Sequence, residues 1–254
     1  MDFRVSGDRV SVNVPTWPAL QARVSERLAT GQGFALATLN LDHIVKLRGS
    51  PAFRRVYAQM DLVTADGNPI VWMSRLAGRR VELIPGADTI LMLARIAARQ
   101  GVTVALVGST DDTLAGAKAY LEGEVRDLHI VETIAPAMGF DPAGADALRI
   151  FARLDASGAR LCFVALGAPK QEIFAAAGRA QVPELGFACI GAGLDFFAGT
   201  QRRAPGWARR FAPEWLWRMV GSPRRLGMRY LRCLVILPGQ MLRAMVSRFR
   251  SPQH

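Results

Sequence analysis

Residues 102–110 read VTVALVGST, an uninterrupted apolar run that ends in glycine and two hydroxyl residues. A helical pattern of apolar residues follows at 112–122. Short apolar runs alternate with helical patterns in this way along most of the chain, and this alternation is typical of a parallel sheet covered by helices. We therefore predict an α/β fold.

Six apolar runs have the length of buried parallel strands. We place these strands at 34–38, 62–65, 102–107, 128–132, 161–165 and 186–190, after a short hairpin at 3–5 and 10–14. Helices are predicted at 17–29, 51–60, 69–76, 88–99, 112–122, 142–154 and 169–179, the sixth with Asp141 as its N-cap and Pro142 as its first residue. Together these elements predict a Rossmann-like parallel sheet flanked by helices, forming one domain over residues 1–199.

The net charge of the chain comes from its C-terminal end. Residues 1–198 contain 20 Lys+Arg and 20 Asp+Glu, whereas residues 199–254 contain twelve arginines and one acid, which accounts for the whole net charge of +11. Tryptophans and aliphatic residues lie between these arginines, and a disordered basic tail would lack them. We predict that residues 200–254 form a basic amphipathic helical appendage that binds an anionic membrane surface.

Helical spacing is visible within this appendage. Apolar positions on one face are Leu226, Tyr230, Leu234 and Leu237, and arginines on another are Arg225, Arg229 and Arg232. We expect Pro238 and Gly239 to end this helix, with a second short helix carrying Met241, Met245 and Phe249 on one face. The uncharged stretch from Cys233 to Leu242 is too short to span a bilayer, which takes about 20 residues.

Cysteine and histidine usage points to a reduced protein without a metal centre. Cys162, Cys189 and Cys233 are odd in number and widely spaced, which is typical of free thiols in a cytoplasmic protein. The N-terminus lacks the apolar segment of a signal peptide. Three scattered histidines and no Cys-x-x-Cys pair argue against a zinc site.

Ligands of open parallel sheets bind beyond the carboxyl ends of the strands. Five of the six predicted strands are followed there by small or polar residues. In chain order these are Thr38 and Asn40, Asp66 and Gly67, Gly108 and Ser109, Lys170 and Gln171, and Gly191. Glycine after a strand is also ordinary turn chemistry, but the five sets together predict a polar-ligand site at one rim of the sheet.

Each set also has a purely structural interpretation. Gly108 and Ser109 precede a helix and could bind phosphate there, or form a plain turn. Lys170 could pair with a phosphate and Gln171 could contact a base or sugar, or both could face solvent. No P-loop or G-x-G-x-x-G pattern is present, which disfavours an ATPase or a simple dinucleotide dehydrogenase.

Asp66 is the candidate for acid–base chemistry, because it stands at a strand end before a flexible glycine and an apolar stretch. Asp-Gly is also a common turn dipeptide. No Asp-x-Asp pair occurs in the chain, so a bound diphosphate would be neutralised by cationic side chains and helix N-termini instead of a carboxylate-held metal.

Several motifs occur in a family-specific order. They are ATLN at 37–40, ADG at 65–67, PGAD at 85–88, LGAPKQE at 166–172, GAGLDFFAG at 191–199, RAP at 203–205, EWLWR at 214–218 and PRRL at 223–226. Through these motifs the chain resembles the WecG/TagA/CpsF glycosyltransferases (glycosyltransferase family 26) over about residues 10–232.

The resemblance implies a metal-independent, inverting transfer of a sugar from a UDP-sugar to a polyprenyl-diphosphate-linked saccharide at the cytoplasmic membrane face, without a cofactor. The donor sugar, the acceptor saccharide and any homo-oligomer stay open. It also implies that Asp66 is the general base. Residues that match substrate-binding positions or motifs are Thr38, Asn40, Gln171, Gly191 and Asp195.

By the same resemblance, the C-terminal appendage docks on the membrane and closes the site. Its arginines expected at lipid diphosphate or the membrane are Arg203, Arg218, Arg225 and Arg229. One departure stands out, because Leu83 occupies a position where family members usually have arginine.

Two other classes fit parts of the sequence. A nucleic-acid-binding protein would explain the high pI, although the basic excess avoids the body of the chain and no nucleic-acid motif is present. A noncatalytic scaffold of a polysaccharide-assembly complex would need only the fold, although Asp66 still stands in its motif.

Overall fold

The computed structural model of this chain describes residues 1–197 and the helix at 223–250, and within that helix the side chains of residues 227–249. A two-stranded antiparallel hairpin precedes the main sheet, formed by β1 (Asp2–Val5) and β2 (Asp8–Ser11). The strands of the main sheet are β3 (Phe34–Leu39), β4 (Leu62–Ala65), β5 (Val104–Gly108), β6 (Ile130–Ile134), β7 (Leu161–Ala165) and β8 (Gly186–Cys189).

The main sheet has the strand order β4-β3-β8-β7-β5-β6, and every neighbouring pair is parallel. In the register, Leu39 lies opposite Ala65 and Gly108 opposite Ala165. All six carboxyl ends therefore lie at one edge of the sheet, which confirms the predicted fold class and the predicted convergence of the strand ends.

Helices cover both faces of this sheet. They are α1 (Trp17–Ala29), α2 (Leu41–Gly49), α3 (Pro51–Tyr57), α4 (Asn68–Leu76), α5 (Gly86–Arg99), α6 (Asp111–Glu124), α7 (Ala145–Ala156), α8 (Lys170–Gln181), α9 (Gly193–Phe197) and α10 (Pro223–Arg250). Alternate strand residues point to opposite faces. Ala35 and Ala37 therefore belong to the core beneath α2, α3, α4 and α8, while Phe34 and Leu36 belong to the core beneath α1, α5 and α6.

Two observed helices were not predicted, and α7 starts later than predicted. The unpredicted helices are α2 and α9, which follow β3 and β8. α2 begins directly after β3 because the side chain of Asn40 caps it, accepting the N–H of His43. α7 begins at Ala145 and not at Pro142, because Asp141 accepts the N–H of Ala143 and makes a local turn instead of a helix cap.

The predicted break at Pro238 and Gly239 is wrong, since α10 runs through both residues. An internal proline removes one backbone hydrogen bond and costs about 3 kcal/mol. Cys233 before the proline and Ala244 after it are both buried, where α10 packs against α2 and α4. Burial of both halves on the same surface offsets the local cost.

Apolar residues lie on two faces of α10. One face contacts the body through Cys233, Gln240 and Ala244, with Ile236 and Met241 partly buried beside them. The second face is exposed and consists of Met228, Leu231, Leu234, Val235, Leu242, Met245, Val246 and Phe249. The predicted single apolar stripe is thus divided, because part of it covers the body and part, including Leu234, faces outward.

The reactivity of the Cys233 thiol depends on whether α10 packs against α2. Burial, followed by the negative charge of Asp42, raises the pKa of this thiol to about 11. Only roughly a thousandth of it is then the reactive thiolate at pH 8. We expect an aromatic disulfide reagent to modify the folded protein slowly and all three cysteines after unfolding.

A Cys233→Ser variant shows how much of the thiol modification by the disulfide reagent comes from Cys233. Rapid modification of Cys233 in the folded protein, located by mass spectrometry, would show that α10 does not rest on α2 in solution.

Within residues 1–197 and 223–250, no helix combines the length and the apolar character that crossing a bilayer requires.

Candidate active site

The predicted site residues lie at the carboxyl edge of the sheet. β3 stands between β4 and β8, so the segments that carry Asn40, Asp66 and Gly191 are immediate neighbours. β7 and β5 follow in the sheet and bring the segments with Gln171 and Ser109 to the same edge. The parallel topology therefore gathers polar groups from five chain segments.

Asp66 is half-buried at the end of β4. Its backbone N–H donates to the carbonyl oxygen of Leu39 over 2.8 Å, which ties the turn after β4 to β3. Gly67 follows with φ of +90°, a conformation that a residue with a Cβ rarely adopts. The Nδ2 group of Asn40 donates to Oδ2 of Asp66 over 3.3 Å. The candidate base is thus held by the neighbouring strand end.

Asn40 is fixed in turn by His43, one turn into α2. Its Oδ1 atom accepts the backbone N–H of His43 over 3.0 Å and lies 2.7 Å from Nδ1 of the same residue. The imidazole is 4% exposed and packs against the rings of Phe53 and Tyr57 from α3. Asn40 therefore links the partly buried Asp66 to the buried His43.

A buried unit continues from His43 into α8. Nε2 of His43 lies 3.2 Å from Oε1 of Glu172, a fully buried carboxyl group. Gln171 donates from Nε2 to the same oxygen over 2.8 Å and accepts the N–H of Gly191 at Oε1 over 3.0 Å. Hydrogen bonds therefore connect the end of β4 to the turn after β8. We name this set the relay; its members are Asp66, Asn40, His43, Glu172, Gln171 and Gly191.

Buried ionisable groups lie around the inner part of the relay, at His43, Gln171 and Glu172. Burial, and then the negative charges of Glu172, Cys189 and Asp66, raise the pKa of the Tyr57 hydroxyl well above its usual value. Burial and the charge of Glu172 also raise the pKa of the Cys189 thiol. Among the described residues, the Tyr57 hydroxyl and Oε2 of Glu172 have no hydrogen-bond partner. Cys189 contacts the relay directly, since its Sγ lies 3.4 Å from the carbonyl oxygen of Gln171.

The turn after β5 forms the other side of the rim. A Cβ at Gly108 would lie 2.5 Å from the backbone of Ala165, so only glycine fits there. Ser109 has φ of +58° and donates from Oγ to Oδ1 of Asp195 on α9 over 3.1 Å. Asp111 and Asp112 follow in the first turn of α6 and already supply negative charge to its N-terminus. This turn suits neutral hydroxyl or amide groups better than phosphate.

Of three other predicted substrate-binding residues, Lys170 and Gln171 have hydrogen-bond partners within the protein and Thr38 is buried. Lys170 donates from Nζ to the carbonyl oxygen of Phe140 over 2.9 Å. Thr38 is buried in β3 opposite Thr64. Gln171 is 2% exposed, with both amide atoms bonded in the relay. Substrate contacts by these residues stay predictions.

Only one of the four predicted arginines has a described side chain. Arg203 and Arg218 lie outside the described residues, and Arg225 lies in α10 before its described side chains begin. Arg229 contacts Oδ2 of Asp42 at 3.2 Å, and Lys46 contacts the same oxygen at 2.7 Å.

Asp42 lies in the first turn of α2, two residues after Asn40. The ion pair with Arg229 therefore attaches α10 to the helix that Asn40 caps. Contact of Arg229 with a lipid diphosphate stays a prediction.

His43, Glu172 and Asp42 were not singled out from the sequence. A usable signal was present for His43, because Asn40 followed three residues later by a polar side chain is the pattern of a capping box. Glu172 ends the LGAPKQE motif at 166–172, but no sequence signal indicated its pairing with His43, which lies 129 residues away in the chain.

No group of three or more His, Cys, Asp or Glu residues able to hold a metal ion occurs within the described part of the chain.

The chain is an α/β protein with a Rossmann-like sheet, and its carboxylate and polar side chains lie at the carboxyl edge, where ligands of open α/β sheets usually bind. The family model described as Glycosyl transferase WecG/TagA/CpsF family matches residues 6–253. The chain belongs to this family, and the family is one of glycosyltransferases.

Proposed function

We propose that this protein transfers a sugar from a UDP-sugar to a polyprenyl-diphosphate-linked saccharide, with inversion and without a metal ion or other cofactor. The reaction takes place at the cytoplasmic face of the membrane, in the synthesis of a bacterial surface polysaccharide. The observation that carries the proposal is Asp66, held by Asn40 at the carboxyl edge of the sheet in a member of a glycosyltransferase family.

The reaction requires a base for the acceptor hydroxyl and positively charged groups that stabilise the departing diphosphate. Asp66 removes the proton of the acceptor hydroxyl as the oxygen attacks the anomeric carbon. The bond between that carbon and the β-phosphate oxygen breaks, and its electron pair leaves with UDP. A single displacement inverts the anomeric configuration. Arginines stabilise the charge on the departing diphosphate most strongly where water is scarce, as at a membrane surface.

Residues 1–199 would bind the donor. Ser109, Asp195 and Gly191 line the rim with neutral and acidic hydrogen-bonding groups that suit the hydroxyls of a nucleoside or sugar. Leu83 precedes Ile84, whose N–H donates to Ala65 at the end of β4 over 2.7 Å. A leucine there adds no positive charge near Asp66. We therefore assign neutralisation of the diphosphate to the arginines of residues 200–254.

Residues 200–254 would bring the enzyme to its lipid-linked acceptor. A groove of about 630 Å³ lies between α2 and α10, with apolar walls that include Val45, Leu231 and Val235. Its other lining residues include the cations Arg48, Arg232 and Arg243. Arginines beside exposed apolar residues favour the interface between anionic headgroups and hydrocarbon. This arrangement supports a peripheral position on the membrane.

A transfer assay with the full-length protein tests this function. UDP-sugars carrying N-acetylmannosamine, its uronic acid or glucose are offered with a short-chain lipid-diphosphate acceptor, with and without EDTA. We expect one donor to be consumed at the same rate in both conditions, and the product to have the inverted anomeric configuration by NMR. A retained configuration, or activity that EDTA abolishes, would contradict the proposed mechanism.

A further inference from the structure

The most buried ionisable pair of the relay lies directly behind the candidate base. His43 is 4% exposed and Glu172 is fully buried. Burial of polar and charged groups in a core is costly unless hydrogen bonds compensate for the lost water. Phe53 and Tyr57 pack around the imidazole, so apolar side chains could fill this region at lower cost. The hydrogen bonds of the pair show what it does for Asn40.

His43 determines which way the side-chain amide of Asn40 points. Oδ1 of Asn40 accepts the backbone N–H of His43 over 3.0 Å, and the imidazole lies on a second side of the same oxygen, with Nδ1 2.7 Å away. The Nδ2 group then faces Oδ2 of Asp66. In the reversed orientation, the NH₂ group would face the backbone N–H of His43 and the carbonyl oxygen would face the carboxylate of Asp66. That orientation is excluded by repulsion on both sides.

Glu172 holds the imidazole in this arrangement from the opposite side. Its Oε1 atom faces Nε2 of His43, and Gln171 fixes that oxygen with a further hydrogen bond. The groups around the imidazole are Asn40, Glu172, Phe53 and Tyr57, and Glu172 is the charged one among them. The ring is thus held between an amide oxygen and a carboxylate.

We propose that His43 and Glu172 are positioning residues that hold Asn40 with its Nδ2 group directed at Asp66, and thereby keep the base in its proton-accepting form and orientation. The catalytic part of this inference rests on the proposed function of Asp66. The structural part, control of the Asp66 carboxylate by residues that do not touch it, can be measured without a substrate.

The first experiment follows the carboxyl group of Asp66 by NMR in the full-length protein labelled with ¹³C-aspartate. The Asp66 signal is assigned by its loss in Asp66→Asn. A hydrogen bond from Asn40 favours the ionised carboxylate, so its loss in His43→Gln should raise the pH midpoint of the Asp66 titration by about one unit. His129→Gln, at an exposed histidine, is the matched control and should leave the midpoint unchanged.

The second experiment uses turnover. Glu172→Gln keeps the shape of the side chain, so it should lower kcat about tenfold while the KM for the UDP-sugar stays within about twofold. In the Asp66→Asn background the same substitution should have no further effect, because the relay acts through Asp66.

The inference would be overturned if the pH midpoint of the Asp66 titration were unchanged in both His43→Gln and Glu172→Gln. A pair with a purely structural role would lower the melting temperature when altered and leave that midpoint unchanged. If His43→Gln does not fold, the titration is measured in Glu172→Gln. Absence of sugar transfer with a shifted midpoint would reject the proposed function and keep the relay, so the two failures are distinguishable.

Discussion

Asp66→Asn should lower sugar transfer by about a hundredfold to ten-thousandfold, the range that a general base contributes. Asparagine has the same shape as aspartate and still offers an oxygen to Nδ2 of Asn40. It cannot accept the proton of the acceptor hydroxyl. The fold and the UDP-binding surface should therefore persist while the chemical step fails. Turnover is measured with the lipid-diphosphate acceptor, and UDP binding by calorimetry.

The matched control is Asp155→Asn, at an exposed aspartate near the end of α7, which should keep full activity. Unchanged turnover in Asp66→Asn would reject Asp66 as the base. No transfer by the unaltered protein, together with normal UDP binding, would favour the alternative of a noncatalytic scaffold.

Replacing three exposed apolar residues of α10 with serine should detach the protein from membranes. Val235, Leu242 and Phe249 are 73%, 62% and 86% exposed, so their loss leaves the contact of α10 with the body intact. Each such side chain contributes about 1.5–3 kcal/mol when fully buried in an apolar phase. Vesicle binding should fall by more than about a hundredfold, measured by flotation with anionic liposomes.

Transfer to the lipid-linked acceptor should fall with membrane binding in this variant, while UDP binding stays unchanged. Truncation before α10 would be a poorer experiment, because α10 covers parts of α2 and α4 whose apolar residues would become exposed.

A control with the same chemistry is available on the body. Val131, Met138 and Leu148 are also exposed, and their replacement by serine should leave flotation unchanged. An equal loss of liposome binding in both triple variants would show that the effect is not specific to α10. Recovery of the protein with nucleic acid but not with anionic vesicles would instead favour the nucleic-acid-binding alternative.

Local apolar patterns predicted most of the architecture. For β4, β7 and α1 the predicted first and last residues are the observed ones. Continuous apolar runs and an amphipathic repeat can be recognised from neighbouring residues alone. The patterns were least informative where a side chain decides the local structure. Asn40 was considered only as a ligand-binding residue, whereas the structure shows that its side chain also caps α2 by accepting the N–H of His43.

The candidate site was predicted in part. Asp66 and Asn40 were placed at one rim because parallel strands share a carboxyl edge, although they are 26 residues apart. The pairing of His43 with Glu172 could not be predicted in this way. Nothing in the residues around His43 or around Glu172 indicates that α2 and α8 meet.

The sequence alone determined the strands and most helices, the parallel sheet, the rim that carries Asp66 and the basic C-terminal segment, because contiguous patterns of burial and charge encode them. Tertiary structure alone decided the buried contacts behind Asp66 and the course of α10. The strand order brings distant polar groups together, and the surface of α2 and α4 favours one continuous helix where the local cost of proline predicted two.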